Sequence, residues 1–131
     1  MAGTGQIAPD AAEIERLART AIARLPDVFR AHLGGILLIV EEFAENRILD
    51  EMDIDDPFAL SGLYSGRPVG EPRQTGDPPA TIHLYRRAIL DEWIEGGEAL
   101  DHLVAHVLVH EVGHHFGLSD TQMHALEDAA G

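Results

Sequence analysis

The sequence predicts a small α+β fold in a single domain. Residues 9–25 and 98–116 space their apolar side chains with the period of a helix. Residues 36–40 are rich in β-branched side chains, and residues 81–85 alternate in polarity, as strands do. With 131 residues, 45% of them hydrophobic, the chain can bury one core but not two. We therefore expect one domain over residues 1–131, in which helices pack on a small sheet.

The N-terminal half is predicted to contain two helices and one strand. Residues 1–9 are predicted to form a mobile tail, because they are mostly small or polar. Asp10 opens a helix that Pro26 interrupts, since proline lacks the amide hydrogen that a helix interior needs. A short helical stretch at residues 28–33 leads, through a glycine pair, into the strand at 36–40. We expect that strand to be buried, because it holds no polar residue.

The C-terminal half is predicted to be a loop, a strand and three helices. Residues 67–79 hold four prolines and two glycines, which is typical of a long loop. The strand at 81–85 should be exposed on one face, and a helix should follow at 86–95. The helix at 98–116 is apolar over much of its circumference, which indicates a buried helix. A terminal helix at 121–129 should pack across it.

The charge of the chain disfavours two classes of partner. It carries 23 acidic residues against 9 basic ones, a formal net charge of −14, and every basic residue is an arginine. Such a surface repels phosphate backbones and anionic lipids, so we expect no nucleic-acid and no membrane partner. The first ten residues lack the pattern of a signal peptide, and the longest apolar run is too short to span a bilayer. The expected location is cytoplasmic.

The segment His110–Asp120 has the pattern of a metal site, H-E-x-x-H-x-x-G-x-x-D. Residues four apart on a helix project to the same side, so His110 and His114 can bind one metal ion. Glu111 flanks that ion and is predicted to act as a base toward a water that the metal activates. Gly117 can adopt the left-handed conformation that ends a helix, so the chain can turn back and deliver Asp120 as a third ligand.

The donor atoms of this segment favour zinc, although other metals fit. The chain has no cysteine, so nitrogen and oxygen must bind the metal, and iron, cobalt or manganese would accept the same ligands. His110 and His114 could instead be core histidines. Asp120 could instead cap or charge the first turn of the last helix, where Ser119 and Gln122 have the spacing of a capping box.

Two further histidines and one glutamate lie close to this segment in sequence. His102 and His106 continue the four-residue spacing upstream, but each step turns the helix by about 40°, so they drift off the metal face. We expect His106 to orient a ligand or to pack, and His102 to lie near solvent. Glu127 on the last helix is a weaker alternative to Asp120 as third ligand.

With these motifs the chain resembles the short bacterial zincin-like metallopeptidases. The likeness covers about residues 30–125. It is carried by Gly62–Gly66, Ile82–Arg87 and His106–Asp120, and the last of these has the metzincin spacing with aspartate in place of the third histidine. The resemblance implies a minimal zincin fold, with a small mixed sheet packed on an active-site helix and flanking N- and C-terminal helices. It also implies a peptidase site with these residues: ligands His110, His114 and Asp120, and acid/base Glu111. No methionine turn is expected, because Met123 lies too close to the third ligand.

The implied reaction is hydrolysis of a peptide or unfolded protein by a zinc-activated water, with Glu111 as general base. A second group should stabilise the oxyanion or contact the substrate. If the strand at 81–85 lies at the edge of the cleft, it could align an extended substrate by backbone pairing. The sequence does not choose among four candidates for the second group: Tyr64, Tyr85, His115 and His124.

Two other functions compete with peptide hydrolysis. Bacterial rRNA-maturation endonucleases use a related histidine spacing, but Glu111 and the acidic, lysine-free surface argue against RNA as the substrate. A non-catalytic module could use the metal for stability or for binding a partner protein. The presence of Glu111 favours an enzyme, since a degenerate site would be expected to lose it.

Overall fold

The computed structural model describes residues 7–33, 35–66 and 75–130, apart from the side chains of residues 32, 120, 129 and 130. These residues form both helices and strands, so the predicted α+β class is confirmed. In chain order the elements are α1 (Ala11–Ala23), α2 (Asp27–Leu33), β1 (Leu37–Glu41), α3 (Asn46–Glu51), a 3-10 helix (Pro57–Ala59), β2 (Gly62–Ser65), β3 (Thr81–Tyr85), α4 (Arg86–Gly96), α5 (Leu100–Phe116) and α6 (Asp120–Ala130).

Two predicted segments fall largely outside the described residues. Of the predicted tail, residues 1–6 are not described, and the Pro9 carbonyl accepts a hydrogen bond of 2.7 Å from the Arg86 side chain. Of the loop predicted at 67–79, residues 67–74 are not described. Both predictions therefore remain predictions.

The ends of the helices follow the signals in the sequence. The Asp10 side chain accepts a hydrogen bond of 2.9 Å from the Glu13 amide and so caps α1, where a helix start was predicted. Helices α4 and α5 end at Gly97 and Gly117, which have φ values of 70° and 66°. A Cβ atom is strained in this left-handed region, so glycine is favoured at both ends. Helix α5 begins at Leu100 and not at residue 98, because Ala99 is still extended and forms the cap.

The three strands form a mixed sheet in the order β1-β3-β2. Strand β1 pairs with β3 in parallel, and β2 pairs with β3 in the antiparallel sense. The mixed sheet implied by the resemblance is therefore observed. Because β3 is central, both of its edges are already hydrogen-bonded. It cannot align a substrate by backbone pairing, so that expectation is wrong.

Helices α1 and α5 pack on one face of this sheet. Ile82 and Leu84 of β3 point to that face and share a buried cluster with Ile14 of α1 and Leu108 of α5. Helix α6 adds Leu126, which is 3% exposed, to the same cluster. The predictions that α5 is buried and that the terminal helix packs across it are confirmed. None of the described helices has the length and hydropathy to cross a bilayer.

Two expectations about strand burial are wrong. Strand β1 was expected to be buried, but Leu37 and Ile39 are 47% and 38% exposed. The reason is that β1 is an outer strand of the described sheet and that the helices cover only the face to which Leu38 and Val40 point. Strand β3 was expected to be exposed on one face, yet four of its five residues are buried. The second face of β3 is covered as well, because Tyr85 belongs to another buried cluster with Ala44, Leu49, Leu60 and Ala88.

Candidate metal centre

From residue 103 to its end, helix α5 is exposed only at the two predicted histidine ligands. His110 and His114 are exposed, whereas their neighbours Val109, Val112 and Gly113 are buried. One helical turn separates the two histidines, so their side chains leave the helix on the same side. They are therefore accessible to a metal ion and are not core histidines.

The turn after α5 has the conformation that the sequence predicts. The amide of Gly117 bonds to the carbonyl groups of Gly113 and His114, and the amide of Leu118 bonds to that of Gly113 at 2.9 Å. These bonds end the helix and reverse the chain, and α6 then begins at Asp120. The sequence from 117 to 120 thus brings the first residue of α6 back toward the end of α5.

Ser119 supplies a cap for α6. The Gln122 amide donates to Ser119 Oγ at 3.2 Å, and the Ser119 amide donates to Gln122 Oε1 at 2.9 Å. This reciprocal pair is the predicted capping box. The helix therefore does not need the Asp120 carboxylate as its cap. The side chain of Asp120 lies outside the described residues, so its role as third ligand remains a prediction.

The described side chains include no group of three or more His, Cys, Asp or Glu residues that is ready to hold a metal ion. Asp120 is not among those side chains, so the predicted set of three ligands is untested by this observation. The chemistry of the donors fits zinc, because two imidazoles and a carboxylate are common zinc ligands. His110 and His114 would hold the ion from α5.

Glu111 lies on α5 against β2, where its environment alters its acidity. Burial raises the pKa of the Glu111 carboxyl, while the nearby charge of His114 and a hydrogen bond from the Tyr64 backbone amide lower it, with burial the largest effect. A Cβ atom placed on Gly62 would lie 2.8 Å from Val107 Cγ1 and 3.3 Å from Glu111 Cγ, so glycine lets the strand approach the helix this closely. The raised pKa brings the carboxylate nearer to the range of a general base at neutral pH.

Tyr64 and His115 contact each other rather than an open site. Tyr64 Oη and His115 Nδ1 are 2.6 Å apart, and His115 is only 7% exposed. Burial also raises the pKa of the Tyr64 hydroxyl. This pair ties β2 to the end of α5 and engages Tyr64 Oη and one ring nitrogen of His115. The proposed role of both residues as substrate or oxyanion contacts remains a prediction.

Tyr85 lies too deep to contact a substrate. It is 1% exposed, and burial, followed by the charges of Glu41, Glu111 and Glu45, raises its pKa to about 12. Its hydroxyl is the one buried side-chain polar atom without a hydrogen-bond partner in the described part of the chain. The alternation of residues 81–85 predicted one exposed face for this strand, but a second buried cluster, formed with Ala44, Leu49, Leu60 and Ala88, covers Tyr85.

His124 is the predicted contact that does lie at an open surface. It is exposed and lines a cavity of about 260 Å³ together with His110, Met123 and Glu127. The wall of this cavity opposite His110 is therefore supplied by α6. The sequence named His124 as a weak candidate, and its position beside His110 makes it the candidate that the geometry favours.

Three residues around His110 were assigned no definite role from the sequence. His106 Nδ1 lies 2.7 Å from Glu127 Oε1, and the ring of His106 meets that of His110 edge-on with centroids 5.0 Å apart. The Met123 side chain packs on Gly113, where an added Cβ would lie 2.7 Å from its sulfur. The signal available in the sequence was the i, i+4 spacing of Met123 and Glu127, which places both on one face of α6.

Comparison with known proteins agrees with this fold. The family model described as zincin-like metallopeptidase matches residues 33–130, which is most of the chain. A search of curated proteins found no match. Members of this family normally bind zinc, and the family indicates a hydrolase. The matched region runs from the end of α2 through α6 and so includes the sheet, the α5 histidines and the turn after them. The chain therefore belongs to the zincin-like metallopeptidase family.

Proposed function

We propose that this chain is a zinc-dependent metallopeptidase, with His110, His114 and Asp120 as zinc ligands and Glu111 as general base. The observation that carries the proposal is the arrangement on α5. Two exposed histidines lie one turn apart, and a partly buried glutamate of raised pKa follows the first of them. The capping box of Ser119 and Gln122 also supports it, because it gives α6 a cap that does not depend on Asp120.

Each residue of the proposed site has its own role in the reaction. When bound, zinc supplies a water of lowered pKa and polarises the peptide carbonyl. Glu111 accepts a proton from the attacking water and delivers it to the leaving amine, which is general base and then general acid catalysis. The Tyr64 backbone amide orients the Glu111 carboxylate for both transfers. His124, at the open cavity, is the residue that we propose to contact the oxyanion or the substrate.

The edge of β2 is the surface that we propose for aligning an extended peptide. Within the described residues, β2 pairs with no strand other than β3 and is therefore an outer strand of the sheet. The strand passes directly over Glu111, as the close approach of Gly62 to that side chain indicates. A peptide that adds to this edge would run beside the proposed base. This role replaces the one expected for β3.

The charge of the chain points to peptides with basic residues. The formal net charge is −14, and a strongly acidic protein attracts cationic ligands over distances of about the Debye length, roughly 10 Å at 0.1 M salt. We expect peptides carrying arginine or lysine to be cleaved with higher kcat/KM than acidic peptides. That advantage should shrink as salt is added.

The deciding experiment compares wild type with Glu111→Gln. Elemental analysis of both proteins should find zinc, while a peptide-library digest should find cleavage by wild type only. The matched control is Glu95→Gln, which makes the same change at an exposed position on α4 and should keep full activity. Equal hydrolysis by wild type and Glu111→Gln would remove Glu111 from the mechanism. Zinc without any hydrolysis by wild type would favour a non-catalytic module.

A second experiment tests the third ligand. Asp120→Ala should lower zinc occupancy and should lower the melting temperature of the zinc-loaded protein, since binding energy is lost. Ser119→Ala is the control, because it removes the cap of α6 and keeps the proposed ligand. If Asp120→Ala keeps the zinc content and melting temperature of wild type, Asp120 is not a ligand.

A further inference from the structure

A row of three side chains connects α6 to the first proposed ligand. Glu127 of α6 holds His106 through the bond of 2.7 Å to Nδ1, and the ring of His106 in turn lies edge-on against that of His110. His106 and His110 stand one turn apart on α5. The order of contacts is therefore Glu127, His106, His110. Each member touches the next, and the last is the exposed residue that the proposed function uses.

An exposed imidazole needs such a contact if it is to bind a metal well. His110 lies at the protein surface, where a side chain turns freely about its two torsions. In most zinc sites a hydrogen bond to the second ring nitrogen fixes the ligand. Here the ring of His106 limits the rotation of His110 by packing. The carboxylate of Glu127 fixes the His106 ring, so the position of α6 sets the direction in which His110 points.

We propose that Glu127 and His106 are positioning residues for His110, and that α6 thereby controls the metal affinity of the site. This inference rests on the proposed function only in taking His110 as a ligand. It assigns Glu127 a role other than that of the third ligand, which was the weaker sequence prediction.

The Glu127–His106 contact is not needed to hold α6 against α5. The helix is already held by Leu126 in the main core and by Met123 against Gly113. The side chains of His106 and Glu127 are 37% and 28% exposed, and pairs as exposed as this contribute little to stability. Loss of the pair should therefore change metal binding more than it changes folding.

The test measures the zinc dissociation constant of the full chain by competition with a chromogenic chelator. Glu127→Gln keeps the shape of the side chain and should raise the Kd about 10–100-fold. His106→Ala should raise it in the same way. Two controls sit beside these positions, at His102 and Asp128, which are both exposed. His102→Ala and Asp128→Asn should leave the Kd within about twofold of the wild-type value.

The double variant Glu127→Gln/His106→Ala separates positioning from direct binding. If Glu127 acts only through His106, adding Glu127→Gln to His106→Ala should change the Kd by less than about twofold. An additive effect would overturn the proposal and make Glu127 a ligand itself. A Kd for Glu127→Gln equal to that of wild type would also overturn it.

Two further readouts exclude a general loss of structure. The melting temperature of each metal-free variant should stay near that of metal-free wild type, and a large fall for Glu127→Gln would make the role structural and overturn the proposal. Cobalt-loaded Glu127→Gln should show a shifted visible absorption band, since a turned His110 alters the ligand geometry. The assay needs no hydrolysis, so it stays decisive if the peptidase proposal fails. Wild-type protein that binds no zinc would overturn both proposals.

Discussion

The contact between β2 and α5 gives the sharpest test of the fold around Glu111. Gly62→Ala adds one methyl group at this contact. That group would lie 2.8 Å from Val107 Cγ1, 3.3 Å from Glu111 Cγ and 3.3 Å from the carbonyl oxygen of His83. The first distance is too short for two carbon atoms that are not bonded to each other. Val107 is β-branched and 6% exposed, so it cannot turn aside, and β2 must move away from the helix.

Two opposing effects set the size of the change. An overpacked core site typically loses about 1–3 kcal/mol of the free energy of unfolding. Replacing a glycine in a strand by alanine regains roughly 0.5–1 kcal/mol, because the unfolded chain has less freedom to lose. The net loss should be about 1–2 kcal/mol, which lowers Tm by roughly 4–8 °C in a domain of this size. The sign of the change in the free energy of unfolding is the decisive result, because without the clash Gly62→Ala would stabilise the protein.

Urea denaturation of the metal-free protein measures this change as a shift in the urea concentration at the midpoint of unfolding. The m value, which is the dependence of the free energy of unfolding on urea, should stay constant. Gly96→Ala is the matched control: an added Cβ there has no atom within 4 Å. It should leave stability unchanged or raise it by up to about 1 kcal/mol. If Gly62→Ala proves as stable as Gly96→Ala, then β2 does not lie on α5 as described, and the orientation of Glu111 by that strand is wrong.

Three further predictions follow from the site. At pH 7, metal-free Glu111→Gln should be more stable than metal-free wild type. Burial raises the pKa of Glu111 in the folded protein, so wild type loses stability as the pH rises from the ordinary pKa of 4.5 through the folded-state pKa. This gain in stability should vanish when the proteins are melted at a pH below 4.5, the ordinary pKa of the carboxyl group. A gain that persists there would mean that ionisation of Glu111 is not its cause. Tyr64→Phe removes the bond to His115 and should cost about 1 kcal/mol in urea, whereas an unchanged midpoint would mean that the bond contributes nothing. Zinc at 100 times its Kd should stabilise wild type by about 2.7 kcal/mol, and a chelator should reverse this; a melt that zinc leaves unmoved argues against the site.

The parts of the site that the sequence predicted are those encoded locally. Two histidines four apart share a helix side whatever surrounds them, and Gly117 ends that helix because of its own backbone freedom. The capping box of Ser119 and Gln122 is likewise complete within four residues. For these features, spacing along the chain determines spacing in the structure.

The parts that the sequence did not predict depend on which elements become neighbours. The pattern of residues 81–85 does not show which residues pack on each face of the strand, so the burial of Tyr85 with Leu49 and Leu60 became visible only in the structure. The pairing of Tyr64 with His115 spans 51 residues, and that of His106 with Glu127 spans 21. Helical periodicity identifies the face of each helix but not the partner that the face meets.

The two sides of α5 serve folding and the proposed metal binding separately. Its buried side belongs to the main core, while His110 and His114 stand outside it. In a zinc finger the ion is needed for folding, so chelation unfolds the chain. Here apolar packing holds the helix in place, so stripping the ion should leave a folded protein that can be reloaded. Newly made chains can then fold before any metal ion reaches them, and a shortage of zinc would lower the proposed activity without unfolding the protein.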